Sequence, residues 1–166
     1  MIHNTHFAQF IPCMSFHAST ATITQVAGAV AGTIALNRAA ADQTSLITIP
    51  ITIPSNSVAL QGSKLVSIEV DYEIFTAEPT SITWTLNKVT RGIDGAVAVV
   101  AAVTKTNTVA DAAAKTVDQH KQVITITTPA WIDNDEYYLL EMAIVAGAGG
   151  GTEKFLGAVA NFTMRA

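Results

Sequence analysis

The sequence predicts an all-β chain, folded as an antiparallel β-sandwich with a jelly roll as its specific topology. Three observations predict it. Apolar residues recur at every second position in several separate stretches, turn residues punctuate those stretches, and no long amphipathic helical stripe occurs. A parallel sheet would need crossover helices that the pattern lacks.

The first twenty residues mix Phe7, Phe10, Ile11 and Phe16 with His3, His6 and His17 at neither the helical nor the strand period. They predict an extended N-terminal arm, residues 1–20. At full extension such an arm reaches about 65 Å, enough to cross a neighbouring subunit or to lie along the chain's own sheet edge. With no Lys or Arg between Met1 and Thr20, and with Pro12 interrupting it, the segment does not read as a secretory signal.

Residues 21–166 suit a single sandwich domain, since one core serves a chain of this length. Val26, Val30, Ile34 and Leu36 predict one or two short strands before an Asp42-Gln43-Thr44-Ser45 turn. Ile47, Ile49, Ile51 and Ile53 then share one strand face. Pro50 and Pro54, which lack amide donors, predict an edge or a bulge near that strand's end.

Lys64 to Phe75 carries the strongest alternation, with Val66, Ile68, Val70, Tyr72 and Ile74 on one face and Ser67, Glu69, Asp71 and Glu73 on the other. Ile82, Trp84 and Leu86 begin a strand that the Arg91 to Gly95 turn joins, as a hairpin, to a strand through Val97, Val99, Ala101 and Val103. Residues 105–120 read as a connecting loop with a brief helical turn at Asp111 to Lys115, and Val123 to Thr127 resumes the alternation. Asp133 to Glu136 punctuates the chain before Tyr138, Leu140, Met142 and Ile144, a hairpin-like edge. Leu156, Ala158, Ala160, Phe162 and Met164 line the last strand.

Only 13% of residues are charged while 49% are apolar, and mean hydropathy is +0.37. So few charges leave apolar surface uncovered, which predicts burial against other subunits. The nine Lys and Arg residues are dispersed and the net charge is −4, which argues against nucleic acid as partner. No apolar run is long enough to cross a membrane as a helix. The lone Cys13 has no partner for an internal disulfide and reads as a buried or interface thiol.

No nucleophile elbow, phosphate loop or dinucleotide fingerprint is present, so the chain reads as non-enzymatic, with no cofactor and no metal site. Asp133, Asp135 and Glu136 lack the Gly and the later Glu of a calcium loop and read as a hydrophilic turn. His3, His6 and His17 have no completing ligand motif. Trp84 and Tyr72 fall on apolar strand faces and belong to the core. Trp131 and Tyr137 are free to contact a ligand, whereas Phe7, Phe10, Ile11 and Phe16 are candidate interface residues of the arm.

Two resemblances add expectations. Glu69-Val70-Asp71-Tyr72-Glu73 resembles the signature of jelly-roll glycoside hydrolases of the laminarinase and lichenase type. That resemblance implies Glu69 as nucleophile, Asp71 as its helper and Glu73 as acid. Those enzymes are larger and line their cleft with aromatics, and alternating acids are also what the solvated face of a sheet produces.

The second rests on Ile49-Pro50-Ile51, Lys64 to Tyr72, Trp84-Thr85-Leu86 and Asn134 to Leu139. From Leu46 onward these resemble small β-sandwich virion proteins of tailed bacteriophages and environmental viruses, which decorate capsids or form fibre modules. The resemblance implies a capsid decoration or minor structural protein located in the virion. It further implies a homotrimer that contacts other virion proteins such as a capsid protein. The alternative is a receptor- or carbohydrate-binding module of a tail fibre or secreted protein, with a glycan as partner.

Overall fold

The computed structural model describes residues 4–18, 23–28, 31–38, 44–53, 62–92, 96, 98–109, 113–147 and 151–165. Val30, Pro54, Val97 and the Asp42, Ile93 to Gly95 and Asp111 turn positions lie outside them. The strands are β1 (Asn4–Pro12), β2 (His17–Ala18), β3 (Ile23–Ala27), β4 (Ile34–Arg38), β5 (Ser45–Ile51) and β6 (Ser63–Phe75). They continue with β7 (Ser81–Thr90), β8 (Val99–Ala102), β9 (Lys105–Asn107), β10 (Gln119–Ile126), β11 (Glu136–Val145) and β12 (Thr152–Arg165).

Two antiparallel sheets face each other. The first runs β3-β4-β12-β6-β10-β9, with β1 also on β12, and the second runs β2-β5-β11-β7-β8. From β4 onward the chain crosses from one sheet to the other at each step except β7 to β8 and β9 to β10, with β4, β6, β9, β10 and β12 in one and β5, β7, β8 and β11 in the other. That winding is a jelly roll, as the strand pattern predicts. Among the described residues no helix is long and apolar enough to cross a membrane.

The inner faces form one core. Ile47, Ile49 and Ile51 of β5, Ile68, Val70, Tyr72 and Ile74 of β6, and Leu140, Met142 and Ile144 of β11 are all buried. Trp84 packs its ring 5.8 Å from that of Tyr72, as their apolar strand faces predict. The hairpin expected after Trp84 is present as the β7–β8 pair, Asn87 to Thr90 against Val99 to Ala102.

Of the two destinations open to the N-terminal arm, β1 takes the chain's own sheet edge: it pairs along its whole length with β12, from Asn4 opposite Arg165 to Pro12 opposite Gly157. An unpaired strand edge is a row of unmet backbone groups, and this segment satisfies the one on its own sheet. Consequently Phe7 stacks on Phe162 at 4.9 Å, and Ile11 and Phe16 are buried in the core. Cys13 is buried and its thiol donates to the Ile34 carbonyl at 3.4 Å.

Several expectations are corrected. The strand after Asp133 to Glu136 is no hairpin edge. β10 and β11 belong to different sheets, and β11 lies between β5 and β7 at the centre of its own. The loop assigned to residues 105–120 contains β9, which pairs with β10. Two predicted faces also shift register. Val66 is an extra residue on β6, so Leu65 turns inward in its place, and Leu156 is an extra residue on β12, so Phe155 is buried and Leu156 turns out.

One ionic pair lies wholly inside. Arg38 of β4 stands opposite Glu153 of β12, their charged atoms are 2.7 Å apart, and each side chain is 1% exposed. Arg38 also donates to the Ser45 hydroxyl and, at 3.3 Å, to the Gly151 carbonyl. Burial pushes the Glu153 carboxyl above its usual range, and the hydrogen bond and charge of Arg38 offset only part of that. Glu153 Oε1 has no hydrogen-bond partner among the described residues, so the pair leaves one acceptor unmet in the interior.

Removing one member strands the other, which typically costs about 3–5 kcal/mol, whereas replacing both by apolar groups is often neutral. Arg38→Met should therefore lower the urea-unfolding midpoint by a corresponding amount. Adding Glu153→Leu should recover most of the loss. A double variant as unstable as Arg38→Met alone would show that the cost lies in lost packing, not in a stranded charge.

Candidate functional site

The extra residue in β12 creates a cleft on the outer face of the larger sheet. Phe155 pairs with Tyr72 and Gly157 with Asp71, leaving Leu156 between them without a partner on β6. The bulge points Leu156 outward, to 38% exposure. Gly157 has φ +150°, a conformation side chains rarely adopt. A Cβ placed on it would sit 2.8 Å from the Phe10 ring and 3.2 Å from the Ile11 carbonyl. The missing side chain is thus the space in which the Phe10 ring rests.

Phe10 is 63% exposed, the only one of the four arm candidates that faces solvent substantially. With Leu156 and Gly157 it forms one side of an open cleft of about 370 Å³, whose remaining lining is Asp71, Tyr72, Gln119, His120 and Lys121. β6 and β10 position these groups through their register, His120 opposite Tyr72, Lys121 opposite Asp71 and Gln119 opposite Glu73.

The floor is rigid. His120 stacks on Tyr72 with ring centroids 5.1 Å apart, and its Nε2 lies 2.7 Å from the Thr116 carbonyl, to which a ring N–H donates. The Tyr72 hydroxyl donates to the Ala114 carbonyl at 2.6 Å. Both bonds fasten the segment before β10 over the end of the sheet. The exposed Phe10 phenyl group and the polar side chains of Asp71, Gln119 and Lys121 are therefore held in one place by backbone pairing, with the Tyr72 ring on the buried face behind them.

The three acids of β6 do lie on the outer face, as the alternation predicts. Glu69 accepts from Lys121 Nζ at 3.3 Å and from Asn161 Nδ2 at 3.1 Å, and Asp71 lies 3.9 Å from the same ammonium. These pairs are largely solvated and contribute little to stability. They do set the polarity of the cleft wall, where Asp71 offers acceptors, Lys121 donors and Gln119 both.

The other sequence candidates lie elsewhere. Trp131 is half-buried beneath the Lys64 ammonium, 4.9 Å from its ring centroid, and the Arg165 guanidinium, at 4.5 Å. Tyr137 is half-buried opposite Val89 of β7, and neither residue lines the Phe10 cleft. In the Asp133 to Glu136 turn, burial raises the Glu136 carboxyl. Hydrogen bonds from Lys88, the Asp133 amide and Thr90, with the Lys88 charge, outweigh that and hold it below the usual range. The Lys88 contact is 2.6 Å, so this turn is a lock between β7 and β11. Among the described residues no three His, Cys, Asp or Glu side chains converge to hold a metal. His3 lies outside those residues.

Sequence reasoning missed Gln119, His120, Lys121, Leu156 and Gly157. One local signal existed for the last two, because a glycine inside an apolar strand marks a bulge or a close backbone approach.

A second cleft, of about 300 Å³, adjoins the first through Phe10 and Leu156. It is lined by Pro12, Cys13, Met14, Gly32, Thr33 and Ile34. Met14 is 57% exposed and Ile34 48%. The two clefts make a continuous surface, polar on the β10 side and apolar on the β4 side.

No family model and no curated protein matches the chain. Among solved structures, one from work on the promiscuous specificity of carbohydrate-binding modules of the β-sandwich superfamily shares 11% identity at a TM-score of 0.49. The match covers 93% of this chain but 55% of that one, so the chain spans about half its length. The family 11 carbohydrate-binding module of Clostridium thermocellum, solved with a β-1,3-1,4-mixed-linked tetrasaccharide, shares 8% identity at a TM-score of 0.40, covering 94% of this chain and 87% of that one.

Gly157→Ala should destabilise the protein by about 1–3 kcal/mol, because the strained backbone and the displaced Phe10 ring add. Thermal unfolding measures the loss. A midpoint equal to the parent's would show that the bulge relaxes without cost and that Phe10 is not seated on it.

Proposed function

We propose that this chain is a non-enzymatic recognition module that binds an oligosaccharide in the cleft between Phe10 and β10. The observation that carries the reading is the exposed Phe10 ring, seated on Gly157 beside Asp71, Gln119 and Lys121. A sugar presents an apolar C–H face and a rim of hydroxyls. An exposed ring takes the face, and a carboxylate, an amide and an ammonium at its edge take the hydroxyls. The volume lies within the usual range for small-ligand sites, and the sheet beneath is pre-formed, which limits the entropy lost on binding.

Titration calorimetry against a panel of neutral oligosaccharides tests the reading. Binding should weaken about tenfold in Phe10→Ala, the equivalent of one lost ring contact of about 1.4 kcal/mol. Asp71→Ala should weaken it by a similar factor with the fold intact. Binding indifferent to both changes, or none across the panel, rejects the site.

A second reading is attachment to a protein assembly, of which decoration of a viral capsid is the specific form. It is supported by the apolar cleft, where Phe10, Met14, Ile34 and Leu156 gather in a chain with few charges. On this reading the protein sediments as an oligomer, a trimer in the capsid form, and Met14→Gln with Ile34→Gln returns it to a monomer. A parent chain that is monomeric at high concentration would remove self-association from it.

A further inference from the structure

Three segments distant in sequence are fastened together around Trp131. The Ile132 N–H donates to the Ser63 carbonyl at 3.0 Å, which ties the β10–β11 loop to the start of β6. The Arg165 N–H donates to the Gly62 carbonyl at 3.2 Å, which ties the end of β12 to the same place. Lys64 and Arg165 thereby bring two cationic groups over one indole, 4.9 and 4.5 Å from its centroid.

Lys154 stands as a single cation over the Phe75 ring at 4.2 Å, whereas Trp131 carries two, the only described ring that does. Arg38, Lys88 and Lys121 each meet a carboxylate within 3.3 Å. Among the described residues no carboxylate lies within ion-pair distance of Lys64 or Arg165. Two like charges on one ring repel, and the negative face of the indole relieves only part of that. An oxyanion that both groups contact would relieve the rest. It would accept a fork of N–H bonds from the guanidinium and a point-charge contact from the ammonium.

We propose that Lys64, Trp131 and Arg165 form an anion-binding site that takes a sulfate or carboxylate group, with the indole holding the two cations in place. The site is separate from the Phe10 cleft and does not depend on it. An acidic sugar or a free oxyanion carries the required chemistry, and the two sources separate by experiment.

Trp84 is buried, so a ligand-induced change in tryptophan emission reports Trp131. The full chain is titrated at constant ionic strength with inorganic sulfate, a sulfated chondroitin tetrasaccharide and a neutral glucose tetrasaccharide. The sulfated sugar should give a saturable change that the neutral sugar does not. Lys64→Gln and Arg165→Gln should each weaken it at least tenfold without moving the thermal midpoint, while Phe10→Ala leaves it unaltered. Saturation by inorganic sulfate at similar concentrations supports the site and identifies the oxyanion itself as the ligand. Saturation by the tetrasaccharide alone supports it and identifies an acidic glycan. No saturable change with either anion, or equal binding by parent and both variants, overturns the proposal.

Discussion

The ladder between β12 and β6 is the constraint on which the rest of the structure depends. β12 carries β6 on one edge, and on the other it carries both β4, at Glu153 to Phe155, and β1, from Gly157 to Arg165. One strand thus organises three others. Its register with β6 breaks twice, at Leu156 and opposite Val66, and each break turns an apolar side chain out of the core. A bulge changes which residues face solvent without changing composition, so the outer surface of this sheet is decided by two irregularities.

The first break has chemical consequences. It exposes Leu156, and the glycine that follows, Gly157, has no side chain and so gives the Phe10 ring a seat on the backbone. β1 delivers that ring only because it pairs with β12 rather than reaching away. The same pairing that satisfies the sheet edge therefore supplies the aromatic element of the oligosaccharide site proposed above, while β6 and β10 supply its polar wall.

Scarcity of charge makes each ionic group easier to interpret. The Arg38–Glu153 pair sits inside, where desolvation is heavy and the partner is indispensable. The Lys88–Glu136 pair locks β7 to β11, and Lys121 bridges two acids on the solvated face. Lys64 and Arg165 share an indole in place of a carboxylate. Among the described residues, exposed Phe10, Met14, Ile34 and Leu156 gather where β1, the 3₁₀ turn at Cys13–Ser15 and β4 meet, while Val99, Val100, Val117 and Val145 are exposed elsewhere.

The sequence by itself determined the sandwich, because alternation of period two in β5, β6, β7 and β11 leaves each strand one buried face, and Ile47, Tyr72, Trp84 and Leu140 go where that period puts them. It also placed Glu69, Asp71 and Glu73 on a solvated face. Only the tertiary structure decided the destination of the first segment, since Phe7, Ile11 and Phe16 have no period of their own until β12 offers an edge. It alone decided the two bulges, because an extra residue is defined by the opposite strand and not by its neighbours in the chain. It also brought Phe10 to Gly157, Arg38 to Glu153, and Lys64 and Arg165 to Trp131, contacts whose members lie far apart in sequence and carry no local pattern that links them.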